Sequence, residues 1–182
     1  MFEYICKDLA AAMCYLPYGL GTGIPIGIIV VWMMNHRRKR KGEKPLNWLS
    51  MTLFCVYLAV ILAITFLSRE SGSRKGMDLE LFSTWGINER NNAYVIENIL
   101  LFIPYGFLCS LNFQSARNFF ICTLVGAMTS LGIETLQLIT ERGFFQVDDI
   151  LTNTLGAMVG CLLFLIGNAV VKLVGRAVDR LA

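Results

Sequence analysis

The sequence predicts an all-α protein: a polytopic membrane bundle of about five transmembrane helices, N-terminus outside the cytoplasm and C-terminus inside. Three observations lead there. Charged residues make up only 16% of the 182 residues, with a mean hydropathy of +0.59, whereas soluble domains are about a quarter charged. Five apolar stretches each reach the roughly 20 residues a helix needs to cross about 30 Å of hydrocarbon. The basic residues are shared unequally between the connections, which sets orientation. The length suits one bundle and leaves no room for a separate soluble domain.

The first span is expected from about Leu9 to Met34. It contains Pro17, Pro25 and glycines at 19, 21, 23 and 27, breaks that a membrane helix tolerates when its neighbours re-satisfy the backbone. Its positive charge follows the apolar stretch instead of preceding it, so an uncleaved helix is expected rather than a secretory signal. The second span, about Trp48 to Leu67, is uninterrupted. The third covers about Tyr94 to Phe113, with Pro104 and Gly106 inside; the fourth is about Asn118 to Ile139 and the fifth about Ile150 to Val171.

Between the first two spans lie Arg37, Arg38, Lys39, Arg40, Lys41 and Lys44. Placing that loop in the cytoplasm also places Arg117, Lys172, Arg176 and Arg180 there, ten cations in all. The other side then holds six: Lys7, Arg69, Arg74, Lys75, Arg90 and Arg142. The dense loop abuts span ends, where the positive-inside rule is strongest. Beside a membrane it reads anionic lipid rather than nucleic acid. The chain therefore divides into 1–67, two helices with a basic cytoplasmic loop; 68–93, an extracytoplasmic loop; 94–171, a three-helix core; and 172–182, a cytoplasmic tail. The long outer loop has a partly apolar middle, Met77 to Trp85, that reads either as an interfacial lid or as a solvated connection.

All six cysteines but Cys6 fall in apolar segments and none forms a CxxC pair, so they read as small hydrophobes rather than a disulfide framework. The single histidine, His36, lies in the basic run, which excludes a His-based metal site or a Ser-His-Asp triad.

Ionisable groups at the centre of a span cost about 2.5 to 3.5 kcal/mol on insertion scales and usually face the bundle interior. Here they converge. The third span carries Glu97 and Asn98 in its outer turns. In the fourth, Ser130, Glu134 and Gln137 recur at i, i+4 and i+7 and so share one face. Glu134 sits about five residues below the outer end, roughly 7 to 8 Å deep. In the fifth, Asp149 and Asn153 are four apart, and the same face continues through Gly156 and Gly160, small residues that permit close helix approach. Asp148 and Asp149 precede a helix whose N-terminus favours negative charge, so capping alone explains one of them. With the orientation above, all of these lie at the outer end, with Arg69, Arg90 and Arg142 nearby.

The set suits three chemistries. Neighbouring carboxylates can work as an acid and a base. Arginines can hold a lipid phosphate bidentately. Carboxylate and amide oxygens can ligate a hard divalent cation.

The stretches N98-ILLFIPYGF, E134-xx-Q137-xxxx-R142 and D148-D149-IL-x-N153-T-L-G156-AMVG resemble the VanZ-like family over about residues 95 to 165, and Arg69 at the end of the second span also fits. The segment GFFQV between Arg142 and Asp148 is longer than the link in many members. The resemblance implies a multi-pass protein of the bacterial cell membrane linked to resistance to teicoplanin and its lipidated relatives. It further implies membrane-embedded chemistry on lipid head groups, carried by Asn98, Glu134, Gln137, Arg142, Asp149 and Asn153. Glu134 and Asp149 are then the candidate catalytic pair, and Asn98, Gln137, Arg142, Asn153 and Arg69 the substrate-binding set. The expected partners are membrane lipids or lipid-linked envelope precursors.

Two other functions compete. A non-catalytic binder would sequester a lipoglycopeptide antibiotic or shield its target. A transporter would need a polar path to the cytoplasmic side, and the inner halves of the last three spans are nearly bare of charge.

Overall fold

The computed structural model describes residues 1–67, 69, 72 and 76–180, and within them six α-helices dominate. These are α1 (Phe2–Met13), α2 (Leu16–Arg40), α3 (Trp48–Leu67), α4 (Glu89–Asn112), α5 (Phe119–Ile139) and α6 (Val147–Asp179). The last five are long and apolar enough to cross a membrane, which gives the expected all-α, five-span bundle. Part of the 68–93 loop, Arg74 and Lys75 included, and the last two residues of the tail lie outside the described residues.

The start of the first span differs from the expectation. The helix does not run through from Leu9: α1 ends at Met13, a turn occupies Cys14 and Tyr15, and α2 begins at Leu16. Pro17 explains the position, because proline lacks an N–H and its fixed φ suits the first turn of a helix. Pro25 and Pro104, by contrast, sit inside α2 and α4 without ending them. The short α1 buries none of its residues. It is tied to the start of α4 by the N-terminal amine on Glu89 (2.6 Å) and by the Arg90 guanidinium 5.7 Å from the Tyr4 ring.

The other spans differ only at their ends. α4 starts five residues before Tyr94, at Glu89, with the Asn88 side chain accepting from the Asn91 N–H (2.9 Å) as a cap. Asn118 caps α5 in the same way on Phe120 and Ile121. α6 begins at Val147 and stays helical to Asp179, so most of the expected tail continues the fifth helix.

Small residues decide which helices meet. A methyl added at Gly156 would collide with the Ile99 carbonyl oxygen, one at Gly160 with the Ile103 carbonyl oxygen, and one at Gly106 with the Ala157 carbonyl oxygen. The α4 and α6 backbones therefore touch directly, as expected of the 156/160 pair. The 19/23/27 series does the same for α2 against α3, where Gly19 and Gly23 lie on the backbone of Val60 and Val56. Phe102, Ile61, Val31 and Tyr105 fill the buried apolar core between these pairs. The basic loop and the α4–α5 turn share one end of the bundle, the basic end. The α3–α4 and α5–α6 connections share the other, the site end.

The described part of the α3–α4 connection is folded against the α5–α6 turn. Two short parallel strands, β1 (Met77–Asp78) and β2 (Phe145–Gln146), pair Met77 with Phe145 and Asp78 with Gln146. Phe145 N–H donates to the Gly76 carbonyl (3.1 Å) and Gly72 N–H to the Glu141 carbonyl (3.0 Å). The longer GFFQV link supplies β2. Residues 76–86, here called the lid, fold against the α5–α6 turn and the first turn of α6.

Candidate functional site

The site grows from the polar face of α5. Ser130, Glu134 and Gln137 are all buried, at 0, 3 and 1% exposure, so the helical spacing does put them on one inward face. Each reaches a different neighbour. The Ser130 hydroxyl accepts from Asn153 Nδ2 of α6 (2.9 Å). Gln137 Nε2 donates to the Thr65 carbonyl in the last turn of α3 (3.2 Å). Glu134 Oε2 accepts the backbone N–H of Gln146 in β2 (3.1 Å), so the α5–α6 turn, on which the lid is paired, rests on this carboxylate.

Asp149 enters from the first turn of α6, where Asn98 Nδ2 of α4 donates to its Oδ1 (2.8 Å). Glu134 and Asp149 are close enough to repel each other, and Arg69 is close enough to attract both. Among the described residues no ion pair within bonding distance joins that guanidinium to either carboxylate. Gly143 makes room for it: a methyl there would collide with Arg69 Nη1. Two further oxygens of the set are buried with no hydrogen-bond partner among the described residues, Gln137 Oε1 and Asn153 Oδ1. A buried acceptor left unpaired costs about 1 to 3 kcal/mol, so helix packing alone gives no reason for two of them.

The expected set therefore divides. Asn98, Glu134, Gln137, Asp149 and Asn153 come together with Arg69. Arg142 does not join the carboxylates: its Nη1 donates to the carbonyls of Phe66 (2.6 Å) and Arg69 (3.1 Å), closing the C-terminal end of α3 and positioning Arg69. Glu97 looks the other way, within electrostatic reach of Asp8 of α1 and of Arg90. Asp148 is the aspartate with the structural task. Its two oxygens accept the Phe82 and Thr84 N–H groups (2.7 and 2.9 Å), pinning the lid through a Phe82 held at a φ of 63°. The sequence left open which of the two aspartates serves the helix start. Adjacent on the helix, the two carboxylates lie about 100° apart and so meet different neighbours.

Asp78 in β1 fastens the lid from within. The Ser83 hydroxyl (2.7 Å), the Glu80 N–H (3.2 Å) and the Gln146 side chain hold its carboxyl below the usual carboxylate range. Beside the lid lies an almost wholly apolar cavity of about 250 Å³ lined by Phe82, Trp85, Val95, Leu151 and Leu155. Among the described residues no three His, Cys, Asp or Glu side chains are grouped as a metal site of that kind would need. The oxygen-bearing groups of the expected set are two carboxylates and three amides, those of Asn98, Gln137 and Asn153.

A family model for VanZ/LLP1 matches residues 54–168, well over half of the chain. The chain belongs to the VanZ/LLP1 family. The VanZ/LLP1 match begins inside α3 and ends inside α6, so it takes in every site residue named above and leaves out α1 and α2. A curated relative, protein VanZ of Enterococcus faecium, is 28% identical over 127 residues, 66% of this chain and 76% of that one. No solved structure matches the chain. Five membrane-crossing helices in a VanZ/LLP1 protein make this a multi-pass protein of the bacterial membrane.

Proposed function

We propose that this VanZ-like envelope protein lowers susceptibility to teicoplanin-type glycopeptides, and does so by modifying the head group of an envelope lipid at the site end. The observation that carries the reading is the enclosed pair Glu134 and Asp149, set beside two amide oxygens that lack donors and covered by a strand resting on Glu134. Such a set asks for a ligand rich in N–H or O–H groups, which a sugar, glycerol or amino head group supplies. One carboxylate, ionised, would take the proton from the attacking hydroxyl or water. The other, protonated, would deliver a proton to the leaving oxygen. We assign the phosphate contact to Arg69, the cation nearest both carboxylates, with Arg142 holding it in place.

The test is incubation of the purified protein with phospholipids and lipid-linked cell-wall precursors, followed by mass spectrometry of the lipids. The reading expects a head-group product that Glu134→Gln abolishes. Unchanged product from that variant removes Glu134 from the chemistry.

The apolar cavity beside the lid favours a second reading, a binder that takes up the acyl tail of a lipidated antibiotic without chemistry. It expects saturable binding, no lipid product, and resistance that follows the amount of protein.

A further inference from the structure

The basic end of the bundle holds a second, open cavity of about 580 Å³ that the lid-end site does not use. It lies where α2 ends and α3 begins. Its walls are Trp32, His36 and Lys39 on α2, Glu43 and Pro45 in the loop, and Trp48 at the start of α3. Two groups shape it. Asn35 fastens the loop by accepting the Leu46 N–H (2.7 Å) and donating to the Leu46 carbonyl (3.3 Å). Arg38 folds the loop back by donating to the Lys44 carbonyl (2.7 Å) and pairing with Glu43 (3.2 Å). The single carboxylate of the loop is thereby neutralised, and the cations around it are not.

What the cavity offers is specific. The His36 ring stacks on Trp32 at 5.9 Å. Trp32 and Trp48 are 60% and 46% exposed, although both are large and apolar. Among the described residues neither indole N–H, nor the His36 ring, nor the Lys39 ammonium has a hydrogen-bond partner. The apolar run of α2 gives way to basic residues at His36–Arg40 and that of α3 starts at Trp48, so both indoles sit at the level where a span meets head groups, the usual depth of tryptophan. Unspent donors, surrounding cations and two rings at that depth complement one ligand: a phosphodiester with no compensating cation of its own.

We infer that this cavity is a binding site for the head group of an anionic phospholipid in the adjoining leaflet. Lys39 and the His36 ring meet the phosphate, and the two indoles flank the glycerol. A polybasic segment can also attract anionic lipid diffusely, each basic residue contributing about fivefold in affinity wherever it stands near the surface. The cavity makes a different demand: position must matter, and so must an uncharged wall.

The test titrates the full chain, in uncharged detergent micelles, with short-chain phosphatidylglycerol, short-chain phosphatidylcholine and inorganic phosphate, reading bound ligand by native mass spectrometry. Saturable retention of phosphatidylglycerol is expected, weakened about tenfold or more by Lys39→Gln and by Trp48→Ala, with Trp32→Ala as the more exposed companion. Lys41→Gln, the same charge change outside the cavity, should lose no more than about fivefold. Equal losses for the two lysine variants, with both tryptophan variants silent, would overturn the site in favour of diffuse attraction. Equal or tighter binding of phosphatidylcholine overturns it too, and equal retention of inorganic phosphate overturns the lipid as its ligand.

Discussion

Arg69 and Arg142 look alike in the sequence, both arginines near span ends on the same side of the bundle. The structure separates them by what their guanidinium groups meet. Arg142 is absorbed by backbone carbonyls at the end of α3, while Arg69 lies against Gly143 within electrostatic reach of Glu134 and Asp149. Gly143 is therefore a means of moving Arg69 without touching the carboxylates. A methyl there meets the far end of a flexible side chain, which can yield cheaply. Gly143→Ala should cost about 1 kcal/mol of thermal stability, the low end for overpacking a buried position, yet lower resistance or product formation about tenfold. Parallel melting curves and activity measurements check this, and full activity would show that Arg69 has no part. The α5 face was legible beforehand because Ser130, Glu134 and Gln137 follow the helical period, which needs no knowledge of the neighbours. The division of labour between Asp148 and Asp149 was not, since it depends on a lid whose backbone N–H groups carry no sequence signature.

Between elements, the contact of α4 with α6 holds the two halves of the site in register, because Asn98 and Asp149 hydrogen-bond across it. Gly160 touches the Ile103 carbonyl and cannot accept a side chain without parting the helices. Gly160→Val should destabilise by about 3 kcal/mol or more in detergent unfolding. Gly132→Ala in α5, where a methyl meets open space, should be neutral or stabilising by up to about 1 kcal/mol. Similar losses for both would contradict the packing account. The lid adds a pH dependence. Because folding lowers the Asp78 carboxyl below its unfolded value, its contribution is complete above about pH 3.9 and is lost as pH falls through the lower folded value. Tryptophan fluorescence from Trp85, with Trp32 and Trp48 replaced by phenylalanine, should report the lid loosening only below that point, and Asp78→Asn should remove the dependence. The β1–β2 pairing was hidden in the sequence, since each strand is two residues long and the partners are far apart in the chain. The break before Leu16 was hidden for another reason: Pro17 and Pro25 look equally disruptive, and only position within the helix distinguishes a start from a tolerated interior proline.

At the scale of the whole molecule, the count of five spans followed from hydropathy alone, and the grouping of polar side chains at one end followed once the spans alternated in direction. Which end faces outward rests on the basic residues between α2 and α3. Cys6, exposed on α1, should react with a membrane-impermeant maleimide in intact cells, whereas Lys41→Cys should react only after permeabilisation. Labelling of the 41 position in intact cells would reverse the orientation and move the site to the other leaflet. The proposal that joins fold to function is that the Glu134–Asp149 carboxylate pair, and not merely the presence of a helix bundle, lowers antibiotic susceptibility. The most direct measurement is teicoplanin susceptibility of a Gram-positive host producing the wild-type chain or Glu134→Gln at matched membrane levels. The account predicts that the variant accumulates normally and confers no protection; protection equal to wild type would contradict it.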